Sequence, residues 1–309
     1  MPETSLIFPA QEYRRRTKAL QREMARGELD ALLLTTPADV FYTTGFLTRF
    51  WESPARPWFV VVPAAGNPVA VIPAIGAELM GRCWISDIRT WNAPDPFDDG
   101  VSLLADTLAA LVPASGRIGI PMGLESHLRM PIADFLRLQN LIAPREIADG
   151  TAAVYRVRET KSEAEIAKIR ATCAVADAAF ERVPEFVHQG MKLSQVFREF
   201  QVALLQEGAD WVSYVAGAAG QGGYGDVISP ADARPLQDGD VLMLDTGAVR
   251  EGYFCDFDRN FAIGHAADEP GVEIAPGRIL VHEENIVLRA DGPELLSRRA
   301  PAELLEIMG

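Results

Sequence analysis

Between residues 241 and 263 the chain reads VLMLDTGAVREGYFCDFDRNFAI, two apolar strand-like runs interrupted by Asp245, Asp256 and Asp258. Aspartate is a poor strand former, and two desolvated carboxylates side by side force protonation of one of them unless a cation lies between. A fold that accepts this segment must lay the acids along a solvent edge, pair them with Arg250 and Arg259, or converge them on a cation. AVRE, bounded by Gly247 and Gly252, is expected to turn the chain into a hairpin. Side chains alternate along a strand, so Val241, Met243 and Asp245 share one face, and Phe254, Asp256 and Asp258 share one face of the partner. Asp245 and Asp256 then meet if the register makes those faces coincide. Hard carboxylate oxygens suit divalent ions, and a bridging carboxylate is a common way to hold two of them close together. Asp258 is expected to support the ligands without contacting an ion itself.

Charge narrows the chemistry. With 29 Lys and Arg against 43 Asp and Glu, the net charge is −14, which repels a phosphate backbone. Nucleic acid is therefore not the expected partner, and small-molecule or peptide chemistry is. The start, MPETSLIFPAQEYRRR, has no apolar core of a signal peptide, and no apolar window is long enough to span a bilayer, so a cytoplasmic protein without membrane contact is expected. Cys83, Cys173 and Cys255 are far apart and lack metal-knot spacing, which fits reduced core thiols.

Tyr13, Leu20 and Met24 fall at helical spacing in QEYRRRTKALQREMARG (11–27), a helix that Gly27 should stop. LDALLLTT (29–36) predicts a strand buried on both faces, and WFVVVPAAGNPVAVIP (58–73) predicts two strands around a Gly-Asn-Pro turn. Alternation continues through VSLLADTLAALV and RIGIP, so residues 1–145 read as one α/β domain, with a linker near IADGTAAVYRVRETK. Phe50 and Trp51 are expected in its core. In the second domain, residues 146–309, Ser162 and Glu165 form a capping box opening a helix with Ile166, Ile169, Cys173, Ala176 and Phe180 on one side. A further helix, LSQVFREFQVALLQEG, carries Leu193, Val196, Phe197, Phe200, Ala203 and Leu204 as its stripe, and strands follow.

DTG followed by GYxxDxxR, with Asp245 and Asp256 eleven residues apart, resembles the metal-binding hairpin of the pita-bread metallopeptidases, the family of aminopeptidase P, prolidase, methionine aminopeptidase and creatinase. DALLLTTPADVFYTTGF resembles the start of the creatinase-type N-terminal domain. RVRETKSEAEIAKIR and VHEENIVLRADGPELLSRRAP resemble the opening helix and closing strand pair of the pita-bread domain. The resemblance implies an α/β creatinase-like domain followed by an α+β pita-bread catalytic domain. It implies that Asp245, Asp256, Glu269 of the EPG motif and Glu283 of the last strand hold two divalent ions, Mn, Co, Zn or Fe. A hydroxide between those ions would attack a peptide or small amide bond, in the manner of Xaa-Pro aminopeptidase or prolidase. Arg259 would hold a ligand carboxylate, Glu284 would be exposed, and a homodimer is expected.

The likeness is interrupted at one place. In the family the hairpin is followed by helices and a histidine-bearing strand before EPG, whereas here NFAIGHAADE passes directly into EPGVEIAPG. The pita-bread domain is thus expected to be incomplete, lacking an internal segment near 268–270, with no family histidine to assign a catalytic role. His265 reads as a loop residue and His282 as a partly buried strand residue facing away from Glu283. Ile228 and Ser229 stand where the peptidases of the group place a substrate-binding histidine. Loss of the covering elements would expose Phe254, Phe257 and Phe261 or leave them to a partner. Two other readings follow, a catalytically inactive remnant that acts through association and a creatinase-like hydrolase that is not a peptidase.

Overall fold

The computed structural model describes residues 7–52, 56–264 and 278–307, which divide into two compact units between Lys161 and Ser162. In chain order the first unit contains α1 (Ala10–Arg26), β1 (Ala31–Leu34), α2 (Pro37–Thr44), β2 (Phe59–Pro63), β3 (Val69–Pro73), α3 (Ala77–Met80), β4 (Asp87–Trp91), α4 (Val101–Leu111), β5 (Arg117–Ile120), α5 (Ile132–Ile142), β6 (Glu146–Asp149) and α6 (Thr151–Glu159). The strands form one sheet in the order β4-β3-β2-β1-β5-β6, antiparallel at β1–β2 and β2–β3 and parallel elsewhere.

The apolar runs of β1, β2 and β3 are continuous because both faces of this sheet are covered. Leu32, Leu34, Val60, Val62, Ala70 and Ile72 enter one core with Leu20 and Met24 of α1, while Ala31, Leu33, Phe59, Val61, Val69 and Val71 enter another with Leu104 and Leu108 of α4. The expected linker is structured. β6 pairs with β5, and Ala153, Val154 and Val157 of α6 pack into the core of α1, which moves the boundary from near 145 to 161. Phe50 is 38% exposed and meets Trp58 edge to face at 6.4 Å, while Trp51 packs against Phe46 and Trp58 in the core.

The second unit contains α7 (Glu163–Glu181), α8 (Val183–Phe186), α9 (Leu193–Gln206), β7 (Trp211–Gln221), β8 (Asp240–Arg250), β9 (Tyr253–Phe254), β10 (Phe257–Ile263), β11 (Ile286–Arg289), β12 (Gly292–Leu295) and β13 (Leu305–Ile307). The Ser162–Glu165 capping box is formed, and all six stripe residues of α9 are buried. β13-β10-β8-β7 make a sheet with β9 added to β8, and β11 and β12 pair separately. Leu242, Leu244, Ala248, Phe257, Phe261 and Ile263 of this sheet pack in one core with Ile166, Cys173, Phe180, Phe200 and Leu204 of the helices. Only Phe254 among the three expected phenylalanines is exposed. Phe257 and Phe261 are fully buried because α7 and α9 cover their face, and β13 lies parallel to β10 along its edge. The expected incompleteness near 268–270, together with His265 and Glu269, lies outside the described residues.

The hairpin turn is tighter than AVRE. β8 continues through Gly247, Ala248 and Val249, and the chain reverses at Glu251–Gly252, both with positive φ (50° and 79°) as a two-residue primed turn requires. Gly247 is glycine for another reason, given by its neighbour on β7.

Candidate metal centre

β8 and β10 pair with Asp245 directly opposite Asp258, and the same register runs on to Val249 opposite Phe254. Asp256 is two residues before Asp258 and so lies on the same face, diagonal to Asp245. The helices occupy the other face. Period two therefore separates Leu242, Leu244, Phe257 and Phe261, which build the core, from Asp245, Asp256 and Asp258, which point away from it.

Glu283 approaches from the segment preceding β11, and oxygens of Asp245, Asp256 and Glu283 all lie within 4.8 Å of one another. It is not in the strand itself, which begins at Ile286. Its neighbours point elsewhere in this extended stretch. His282 is exposed rather than partly buried, while Glu284 is half-buried and accepts from Arg259 (3.1 Å), Ser297 Oγ and the Ala300 amide (2.7 Å). The expectation that Glu284 is the solvated acid of the pair is therefore reversed.

Asp245 is the most constrained member. Its Oδ1 is buried without a hydrogen-bond partner, and burial, reinforced by the charges of Asp256, Glu283 and Asp258, pushes its pKa up to about 7. No Lys or Arg ion pair reaches Asp245, Asp256, Asp258 or Glu283 among the described residues. Orphaned buried carboxylate oxygen together with converging acids and no protein cation is the donor set that a divalent ion satisfies.

Among the described residues Arg259 holds no ligand carboxylate. One residue out of phase with Asp256 and Asp258, it lies on the helix face, 4.6 Å from the Phe257 ring centre, where it donates to Glu284 and to the carbonyls of Glu283 (3.3 Å) and Arg298. It secures the backbone that presents Glu283. Asp258 is fully buried, with Oδ2 accepting from Asn260 Nδ2 (3.0 Å), and it makes no hydrogen bond to another acid's carboxylate. Burial pushes its pKa up to about 6.

Two further residues shape the site without a signal at strand spacing. Tyr214 sits in a bulge of β7, where Ser213 and Tyr214 face the single residue Gly247 on β8, and its hydroxyl donates to Asp256 Oδ1. A Cβ at Gly247 would lie 2.3 Å from Tyr214 Cε1, so the glycine lets the ring cross the sheet surface. Burial and its bond to Asp256 hold the phenol pKa far above the ordinary value. Asn285 binds both sides of the Asp256 backbone, accepting from its amide (3.0 Å) and donating to its carbonyl (3.0 Å). Cys173 Sγ also meets Asn285 Oδ1, at 3.2 Å; all three cysteines are free thiols. Ile228 is 89% exposed and Ser229 closes a turn on Asp226, at the place of the histidine expected in peptidases.

The model of "Creatinase/Prolidase N-terminal domain" matches residues 16–160, and that of "Metallopeptidase family M24" matches residues 167–285. A probable dipeptidase PepE of Mycobacterium tuberculosis is 26% identical over 305 residues, 97% of this chain and 76% of that protein. A creatinase of a Bacillus species is 24% identical over 314 residues, 97% of this chain and 71% of that one. Among solved structures, dipeptidase PepE from Mycobacterium ulcerans superposes with a TM-score of 0.76 at 20% identity, covering 98% of this chain and 100% of that one. The prolidase from Thermococcus sibiricus gives 0.77 at 17%, with 95% and 99% covered. The chain belongs to the hydrolases of metallopeptidase family M24 and bears a creatinase/prolidase N-terminal domain ahead of the metallopeptidase domain.

Proposed function

We propose that this chain is a metal-dependent hydrolase of a dipeptide, an Xaa-Pro peptide or a small amide, with two divalent ions held by Asp245, Asp256, Glu283 and Glu269, the last outside the described residues. The observation that carries the reading is the convergence of three carboxylates from three separate segments, with one buried oxygen of Asp245 left without a partner. Four carboxylates contribute about −4, which two divalent ions balance. Such ions acidify a water and polarise a carbonyl, which is the chemistry that amide hydrolysis needs. The chain's own residues aim the ligands: Tyr214 fixes the Asp256 carboxylate, Asn285 fixes its backbone, and Arg259 fixes the backbone of Glu283. The similarity to proteins named dipeptidase and prolidase supports the substrate class. Manganese, cobalt, zinc or iron suits the oxygen donors, and a homodimer in the cytoplasm remains part of the proposal.

A specific observation favours a second reading, that of an inactive chain serving only in association. No histidine joins the acids among the described residues. The two separate on one experiment. Metal-stripped protein is loaded in turn with Mn2+, Co2+, Zn2+ and Fe2+ and assayed against Xaa-Pro dipeptides, other dipeptides and small amides. The hydrolase reading expects turnover that appears with metal and is lost in Asp256→Asn; absence of turnover with every metal and substrate favours association alone.

A further inference from the structure

Asp258 is an unusual residue to bury completely. It is 0% exposed, its Oδ1 has no hydrogen-bond partner, and no arginine or lysine side chain forms an ion pair with it among the described residues. The one arginine adjacent in sequence, Arg259, turns to the helix face and meets only the Asp258 carbonyl. A buried carboxylate oxygen left without a partner is costly, so such a group persists where something satisfies it. The side chain is also deliberately held. Asn260 Nδ2 donates to Oδ2 (3.0 Å) and to the Val281 carbonyl (2.7 Å), and Tyr224 Oη in turn donates to Asn260 Oδ1 (2.9 Å). That chain of bonds occupies one oxygen of Asp258 and leaves the other free.

The free oxygen belongs to the face that carries Asp245, directly across the β8–β10 ladder, and Asp245 Oδ1 is likewise buried without a partner. Opposed residues on one face of an antiparallel pair have Cβ atoms about 4.5–5.5 Å apart, a separation across which two carboxylates reach one ion. Asp258 is not among the three acids whose oxygens lie within 4.8 Å of one another, so it would serve an ion other than the one at that convergence. Resting on the metal-dependent reading of the site, we propose that Asp258 is a carboxylate ligand in its own right, sharing a second divalent ion with Asp245 through the two unpartnered oxygens.

The test is Mn2+ binding by the full chain, followed by calorimetry and by metal analysis after desalting. Wild type should take up about two Mn2+ per chain and Asp258→Asn about one, with the exchange-coupled Mn pair signal in electron paramagnetic resonance replaced by that of an isolated ion. Metal-free Asp258→Asn should unfold at or above the wild-type temperature, since it exchanges an orphaned carboxylate for a neutral amide; Asp258→Ser serves the same purpose if the amide variant does not fold. Two ions bound with unchanged affinity in either variant overturns the proposal and leaves the site at Asp245, Asp256 and Glu283 intact. A wild-type chain that binds no Mn2+ overturns the metal-dependent reading itself and this proposal with it.

Discussion

The two faces of the β8–β10 ladder are made from the same strands and have opposite chemistry. One face, Leu242, Leu244, Phe257 and Phe261, is closed under α7 and α9. The other carries Asp245, Asp256 and Asp258, and the nearest described apolar cover is the small cluster of Ala218, Tyr224, Val241 and Met243. The first face supplies stability by burial, and the second spends some of it to hold unpaired carboxylates in place. The division needs only the two-residue period of a strand and one register, so a shift of either strand by a single residue would send that strand's acids under the helices.

The comparison breaks most visibly on the core face. Phe261→Ala should destabilise the unit by about 3–5 kcal/mol in urea unfolding, because a fully buried ring leaves a cavity. A loss under 1 kcal/mol would mean that the helices do not close this face.

Next in size is the acid face without metal, where removing a charge should have the opposite sign. An ordinary aspartate titrates at 3.8, and Asp245 in the fold is pushed up to about 7, so the folded chain holds its proton where the unfolded chain has lost it. Metal-free stability is therefore diminished progressively as pH rises from about 4 to about 7, and Asp258, pushed up to about 6, acts in the same direction. In thermal unfolding, Asp245→Asn should match wild type near pH 4 and exceed it increasingly toward pH 7. A gap that stays constant with pH would show that Asp245 carries no raised pKa.

Smaller effects sharpen the picture at the bulge. Gly247→Ala places a methyl 2.3 Å from the Tyr214 ring, which should cost about 1–3 kcal/mol of stability as the ring is displaced, and should weaken Mn2+ binding as Asp256 loses its donor. Tyr214→Phe keeps the ring and removes only the hydroxyl. Calorimetry should find Mn2+ affinity altered several-fold with the unfolding midpoint nearly unchanged; an affinity equal to wild type would leave Tyr214 no part in aiming Asp256.

Much of this arrangement is legible in the residues. Continuous apolar runs marked β1, β2 and β3, the capping box marked the start of α7, and strand alternation placed Asp256 with Asp258 on one face, while the register that brings Asp245 to that same face is supplied by the structure. Alternation, applied one residue further, would also have placed Arg259 on the helix face rather than beside a ligand. What was hidden depends on contacts between distant segments. The bulge that aims Tyr214 has no local signature, Asn285 acts on Asp256 across 29 positions of sequence, and α6 reads as a linker until α1 is there to receive it. The burial of Phe257 and Phe261 is hidden from the local sequence for the same reason, because α7 and α9 lie far back in the chain.

The central claim is that cations, not protons or solvent, reconcile the carboxylates of the acid face. Its most direct test is the unfolding temperature of the stripped full chain at pH 7 as Mn2+ is raised to millimolar concentration. The account predicts a rise that continues with free Mn2+ once the site is filled, as binding to the folded state alone requires, and that is absent in the double variant Asp245→Asn, Asp256→Asn. A wild-type temperature indifferent to Mn2+, Co2+, Zn2+ and Fe2+ alike would contradict it.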